Sequence, residues 1–219
     1  MTCSLRLDGA VLGALMLVLP GCNIVGPLGV LLSPPQIKKA DFKLTHERLA
    51  VLIDVARAGD ENSVFTQAFH DKLVEIFREK KVNSQVVPAT EVLRLRQTNP
   101  DFARWNLQRV ATALGAEQVL CVRIERLSLR TTPEHPVLEP FVEMRVKVVG
   151  RDAPAKSARL WPGSEEREGR EISRARLICE ATDPTIVDSE AAKLGKDAAV
   201  LVAMPFYDVD TEAPVPWEK

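Results

Sequence analysis

The chain alternates between continuous apolar runs, helical stripes and two-residue alternation, and each pattern predicts a different element. Leu49 to Ala56, LAVLIDVA, is apolar and rich in β-branched residues apart from Asp54, as expected of a strand covered on both faces. Phe65, Phe69, Leu73, Ile76 and Phe77 then recur at steps of three and four, the stripe of an amphipathic helix. Asp60, Asn62 and Ser63 are each suited to cap its start. Gln85 to Val87 reads as a short second strand stopped by Pro88, and Thr90 to Gln97 as a short helix. Asn99-Pro100 is a helix-start signature, predicting a helix that carries Phe102, Trp105, Val110, Ala113 and Leu114 and ends at a left-handed Gly115.

Beyond Gly115 the period changes to two. In Glu117 to Leu129, Leu120, Val122 and Ile124 share one face, and the apolar parity then shifts to Leu127 and Leu129, which predicts a bulge. After a proline-bearing loop, Thr131 to Pro140, Val142, Met144, Val146 and Val148 alternate with Glu143, Arg145 and Lys147. These two runs predict a long antiparallel pair. Two further strands follow, Ala158 to Trp161 and Ile172 to Ala181, joined by the charged loop Pro162 to Glu171. In the second, Ala175, Leu177, Cys179 and Ala181 oppose Arg174, Arg176 and Glu180. A helix from about Asp188 to Met204 closes the folded part, with Ala192, Ala199 and Val202 along one side and Leu194, Ala198 and Leu201 beside them. The order predicts an α/β (α+β) fold: a mixed sheet with a βαβ start, a long antiparallel strand pair, and helices packed on the sheet. No internal repeat or low-complexity segment interrupts it.

The N-terminus follows a different logic. Val11 to Leu19 is an uncharged apolar run behind Arg6, and Gly21 precedes Cys22. A short apolar run ending at small residues is the layout of a secretion signal. Leu19, Gly21 and Cys22 match the end of a bacterial lipoprotein signal, in which the cysteine becomes the acylated N-terminus. Pro20 departs from that pattern, where a small or β-branched residue is usual. An uncleaved membrane helix is the alternative, because no side chain from Ala10 to Leu32 is charged; Pro20-Gly21, Pro27 and Gly29 all weaken it. The organisation expected is a signal peptide over 1–21, a lipidated terminus and Pro/Gly-rich tether over 22–44, one α/β domain over 45–205, and a flexible acidic, proline-containing tail over 206–219. Either way the bulk of the chain lies outside the cytoplasm, held to a membrane by the N-terminal lipid.

Composition narrows the chemistry. Of 219 residues, 46% are hydrophobic, sufficient for a packed core. Lys and Arg number 29 against 30 Asp and Glu, so the basic footprint of a nucleic-acid binder is missing. Aromatics make up 5%, too few for a stacking platform. No phosphate-cradling loop or nucleophile elbow occurs, Gly195-Lys196 lacking the preceding glycine and strand. His46, His70 and His135 lack zinc-helix spacing, and no cofactor or metal is expected. Cys121 and Cys179, the cysteines left once Cys3 and Cys22 are set aside, either form a disulfide in an oxidising compartment or remain buried thiols. The best enzymatic grouping is Asp54 at a strand's C-terminal end with His70 and Asp71 on the next helix, since open α/β sheets bind ligands at strand ends. The bland reading, Asp54 capping a turn and His70-Asp71-Lys72 forming a solvated helix face, is preferred.

The LAVLIDVA strand, the Phe-rich helix, the short strand, and a helix ending in Ala113-Leu114-Gly115-Ala116 that runs straight into Gln118 to Ile124 together resemble a known domain. Over residues 45 to 150 this order is similar to the small α/β domain of bacterial envelope proteins. They include the amino-terminal domain of the Tol-system periplasmic propeller protein, curli-export lipoproteins, and lipoprotein activators of penicillin-binding proteins. The resemblance implies a non-enzymatic envelope lipoprotein that works by contact with an envelope protein not identifiable from sequence. An oligomeric export component, with the hairpin Glu117 to Arg151 contributing to a ring, is the alternative; Glu143, Arg145 and Lys147 argue against a lipid-facing role for it.

Overall fold

A computed structural model describes residues 36–55, 63–130, 136–154, 157–177, 179–180 and 183–211. The signal motif Leu19, Gly21 and Cys22, with most of the tether, His135 and the end of the tail, lies outside the described residues. Within them the strands are β1 (Ile37–Lys38), β2 (Leu49–Val55), β3 (Gln118–Ser128), β4 (Val137–Leu138), β5 (Phe141–Gly150), β6 (Arg159–Trp161), β7 (Arg170–Ala175), β8 (Cys179–Glu180) and β9 (Val209–Asp210). The helices are α1 (Val64–Glu79), α2 (Ala89–Thr98), α3 (Leu107–Leu114) and α4 (Pro184–Ala203).

The central sheet runs β2-β3-β5-β6, and β7 also pairs with β5. β2 and β3 are parallel, with Leu49 opposite Gln118 and Val55 opposite Ile124. The remaining pairs in this sheet are antiparallel, so the sheet is mixed as the sequence predicts. The register of β3 on β5 shifts between Ile124 and Arg126. That is the bulge expected where the apolar parity changes.

Helices cover the sheet on both faces. α1 and α4 pack together over Leu49, Val51, Leu120, Val122, Val142, Met144, Val146 and Val148. The four inward residues of β5 have no exposed surface, and such burial contributes about 1.5–3 kcal/mol per side chain. α2 and α3 cover Ala50, Leu52, Val119 and Cys121 on the opposite face. They stop short of the far half of that face, where Arg123 pairs with Asp54 at 3.1 Å and Arg145 with Glu125 at 2.8 Å.

Local signals explain the ends of the elements. The Ser63 hydroxyl accepts from the Thr66 N–H and caps α1. Gly115 closes α3 at φ 61°, in the left-handed region predicted for it. Four details differ from expectation. The second strand shrinks to one bridge, Val86 beside Leu49, because Pro88 carries no N–H and the chain turns into α2. Asn99-Pro100 does not start a helix: Asn99 ends α2, a 3₁₀ turn follows at Phe102–Arg104, and Asn106 caps α3 through Arg109 N–H at 2.8 Å. The same kind of signature operates instead at Asp183-Pro184, so α4 begins four residues before Asp188.

The fourth difference is in β7. Its expected apolar face is the outer one: Ala175 is exposed and Leu177 is 91% exposed. Arg174 and Arg176 point inward to α4, where Asp197 lies 3.4 Å and 2.5 Å from them and Glu190 lies 3.2 Å from Arg176. Beyond the core, Phe206 packs edge-on to Phe77 and Trp161. β9, in the segment read as tail, pairs with β1.

Candidate functional site

A cavity of about 260 Å³ opens at the free edge of β2, between α1 and α2. Val51 and Ile53 form its floor, Thr66, Gln67, His70 and Asp71 its α1 wall, and Val92, Leu93 and Arg96 much of its α2 wall. The size exceeds the roughly 150 Å³ that admits benzene to an apolar cavity.

Backbone geometry sets the character of the floor. Leu49 N–H donates to Gln85 C=O, and Val87 N–H donates to Leu49 C=O, so both polar groups of Leu49 face the outer edge. By the two-residue repeat those of Val51 and Ile53 face the same way. The chain leaves for α2 after one rung, and among the described residues no backbone group takes the next positions. Arg96 reaches across instead, its Nη2 donating to Ile53 C=O at 2.6 Å.

His70 supplies the other distinctive polar atom. Its Nδ1 lies 3.7 Å from the Asp71 carboxylate, while Nε2 is buried without a hydrogen-bond partner among the described residues. Burial pushes the imidazole pKa below its ordinary value, and Asp71 opposes this only in part. Burial thus favours the neutral ring.

A base whose folded pKa is depressed adds stability above its unfolded pKa near 6.5, and that contribution declines as pH falls below about 6.5. The urea midpoint should fall between pH 7.5 and 5.5, and the His70→Gln variant should fall less. Equal declines in the two proteins would contradict a buried neutral His70.

Asp54 does not join this site. Ile53 faces α1, so Asp54, the next residue, faces the opposite side, where it holds Arg123 and keeps that guanidinium's pKa above its usual value. The two cysteines are likewise separate. Cys121 lies beneath α2 and α3, where burial pushes its thiol up to about 11 despite nearby Lys147. Cys179 pairs through β8 with Leu138 of β4, and both thiols are free. Arg96, and the Arg174, Arg176, Glu190 and Asp197 group, escaped the sequence reading. The recoverable signal was the acids: Glu190 and Asp197 are seven residues apart, on the same side of a helix as Ala191, Leu194 and Ala198.

No family model matches the chain, and no curated protein matches it. Solved structures with a similar chain path include the PelC dodecamer of Paraburkholderia phytofirmans, 13% identical with a TM-score of 0.40, covering 78% of this chain and 95% of that one. Protein XCC0632 of Xanthomonas campestris, a DUF330 protein, is 11% identical with a TM-score of 0.44, covering 78% and 92%. The lipoprotein GNA1162 of Neisseria meningitidis is 13% identical with a TM-score of 0.39, covering 70% and 99%. These are likenesses only, and no residue role is carried over from them. Among the described residues no helix is long and apolar enough to cross a membrane.

Proposed function

We propose that this chain is an extracytoplasmic lipoprotein of the bacterial cell envelope, moored by acyl chains on Cys22, whose α/β domain works by contact with another envelope protein. The observation that carries the reading is Leu19-Pro20-Gly21-Cys22 at the end of an uncharged apolar run. The resemblance of the sequence to the Tol-system, curli-export and penicillin-binding-protein-activator domains is what suggests the contact role. Fourteen residue steps separate Cys22 from Gln36, where the described fold begins, so the tether reaches at most about 50 Å. The domain therefore works close to the membrane surface. Acylation at more than one position meets the requirement for stable anchoring, which a single chain does not.

Fatty-acid labelling in the native host tests the anchor. Wild type should take up label and sediment with membranes, while Cys22→Ser should lose the label. Equal label in the two proteins overturns the lipoprotein reading.

A further inference from the structure

The edge of β2 holds a strand position that the chain itself begins and then leaves. Gln85 to Val87 occupy it beside Leu49 with two backbone bonds, Leu49 N–H to Gln85 C=O at 3.0 Å and Val87 N–H to Leu49 C=O at 2.8 Å. The next parallel rung would join Val51 N–H to Val87 C=O and bring a new N–H to Val51 C=O. Neither bond forms among the described residues, because the backbone turns helical at Ala89. What remains is a slot walled by α1 and α2 and floored by Val51 and Ile53, with the 260 Å³ cavity in line with the abandoned strand.

We infer that this slot receives an extended segment of the partner polypeptide, which continues the sheet along Val51 and Ile53. The inference rests on the contact role proposed above and names the chemistry of the partner. Three features fit a polypeptide. The outward N–H and C=O groups of β2 match another backbone, the mode by which exposed sheet edges capture peptides. Arg96 already supplies a side-chain donor to Ile53 C=O where a strand N–H would stand. Val51, Ile53, Val92 and Leu93 make the cavity apolar. The side chain it takes is uncharged and apolar.

The test uses the full-length, membrane-tethered protein in its own envelope. A photoreactive benzoylphenylalanine is placed at Thr90 on the α2 wall, at Gln67 on the α1 wall, or at exposed Glu125 on the sheet face as a control. Both wall positions should cross-link to one short partner segment, and Glu125 should not. A synthetic peptide of that segment should then slow amide exchange at Val51 and Ile53. A version N-methylated at the edge-facing amides should bind at least about fivefold more weakly, the loss expected for two backbone hydrogen bonds. Cross-links to unrelated segments or only to lipid, wall yields no higher than at Glu125, or equal binding of the methylated peptide would each overturn the proposal. None of these outcomes depends on label at Cys22, so the anchor and the strand slot can fail separately.

Discussion

Replacing Asp197 with alanine is expected to lower the unfolding free energy by about 2–4 kcal/mol, the cost of stripping a partner from largely buried charges. Asp197 holds both Arg174 and Arg176, and its side chain is only 12% exposed. Burial works against the charge on Arg176, but Asp197 and Glu190 together outweigh it and keep its pKa above the usual value. Glu190 shows the reverse balance: burial raises its pKa, yet Lys193 and Arg176 bring it below the ordinary carboxylate range. The loss in Asp197→Ala comes mainly from the two guanidinium groups left facing α4. The double variant Arg176→Met/Asp197→Leu should therefore regain part of it, since well-packed apolar pairs replace buried ion pairs at little cost. Urea unfolding of the three proteins measures this. A change below about 0.5 kcal/mol in Asp197→Ala would place the network among ordinary surface pairs.

Gly195→Val should destabilise by about 2–3 kcal/mol, the upper part of the usual range of about 1–3 kcal/mol for overpacking a close contact. Gly195 lies on α4 where it meets α1, and a Cβ there would sit 2.5 Å from Phe65 C=O and 3.1 Å from Phe69 N. Those atoms belong to the backbone of α1, so relief requires moving a helix. Gly195→Ala should cost less, because alanine regains about 1 kcal/mol of helix propensity. Thermal unfolding of the two variants should show valine well below alanine. If both matched wild type, α1 and α4 would be packed more loosely than the structure places them.

The sequence showed most of the architecture where burial is one-sided or complete. β2 was legible as an unbroken apolar run, α1 as a phenylalanine stripe, β5 as strict alternation, and the bulge in β3 as a change of parity. It misled where charges are satisfied inside the fold. The apolar parity of β7 points outward because Arg174 and Arg176 find Asp197 and Glu190, acids that lie 14 to 23 residues further on and face them only once α4 is in place. Helix starts showed a related ambiguity. Asn99-Pro100 and Asp183-Pro184 carry similar capping chemistry, but only the second precedes a stretch long and apolar enough to use it.

The candidate site was half visible. His70 stands out in the sequence, but the two-residue repeat separates it from Asp54: Val51 and Ile53 face α1, so Asp54 cannot. Arg96 carries no distinctive sequence signal, because it sits in a polar helix with ordinary spacing. Its role depends on a strand position left open by Pro88, a property of the assembled sheet edge. Pattern along one chain does not report which backbone groups lack partners.

The pairing of β1 with β9 has a consequence for engineering. Thr211 N–H donates to Gln36 C=O at 2.9 Å, so the first and last described residues of the fold lie side by side. A short linker can join them and the chain can be opened at another surface turn, giving a circular permutant with the same sheet order. In such a molecule the attachment point to a membrane or surface could be moved around the domain without altering what it presents.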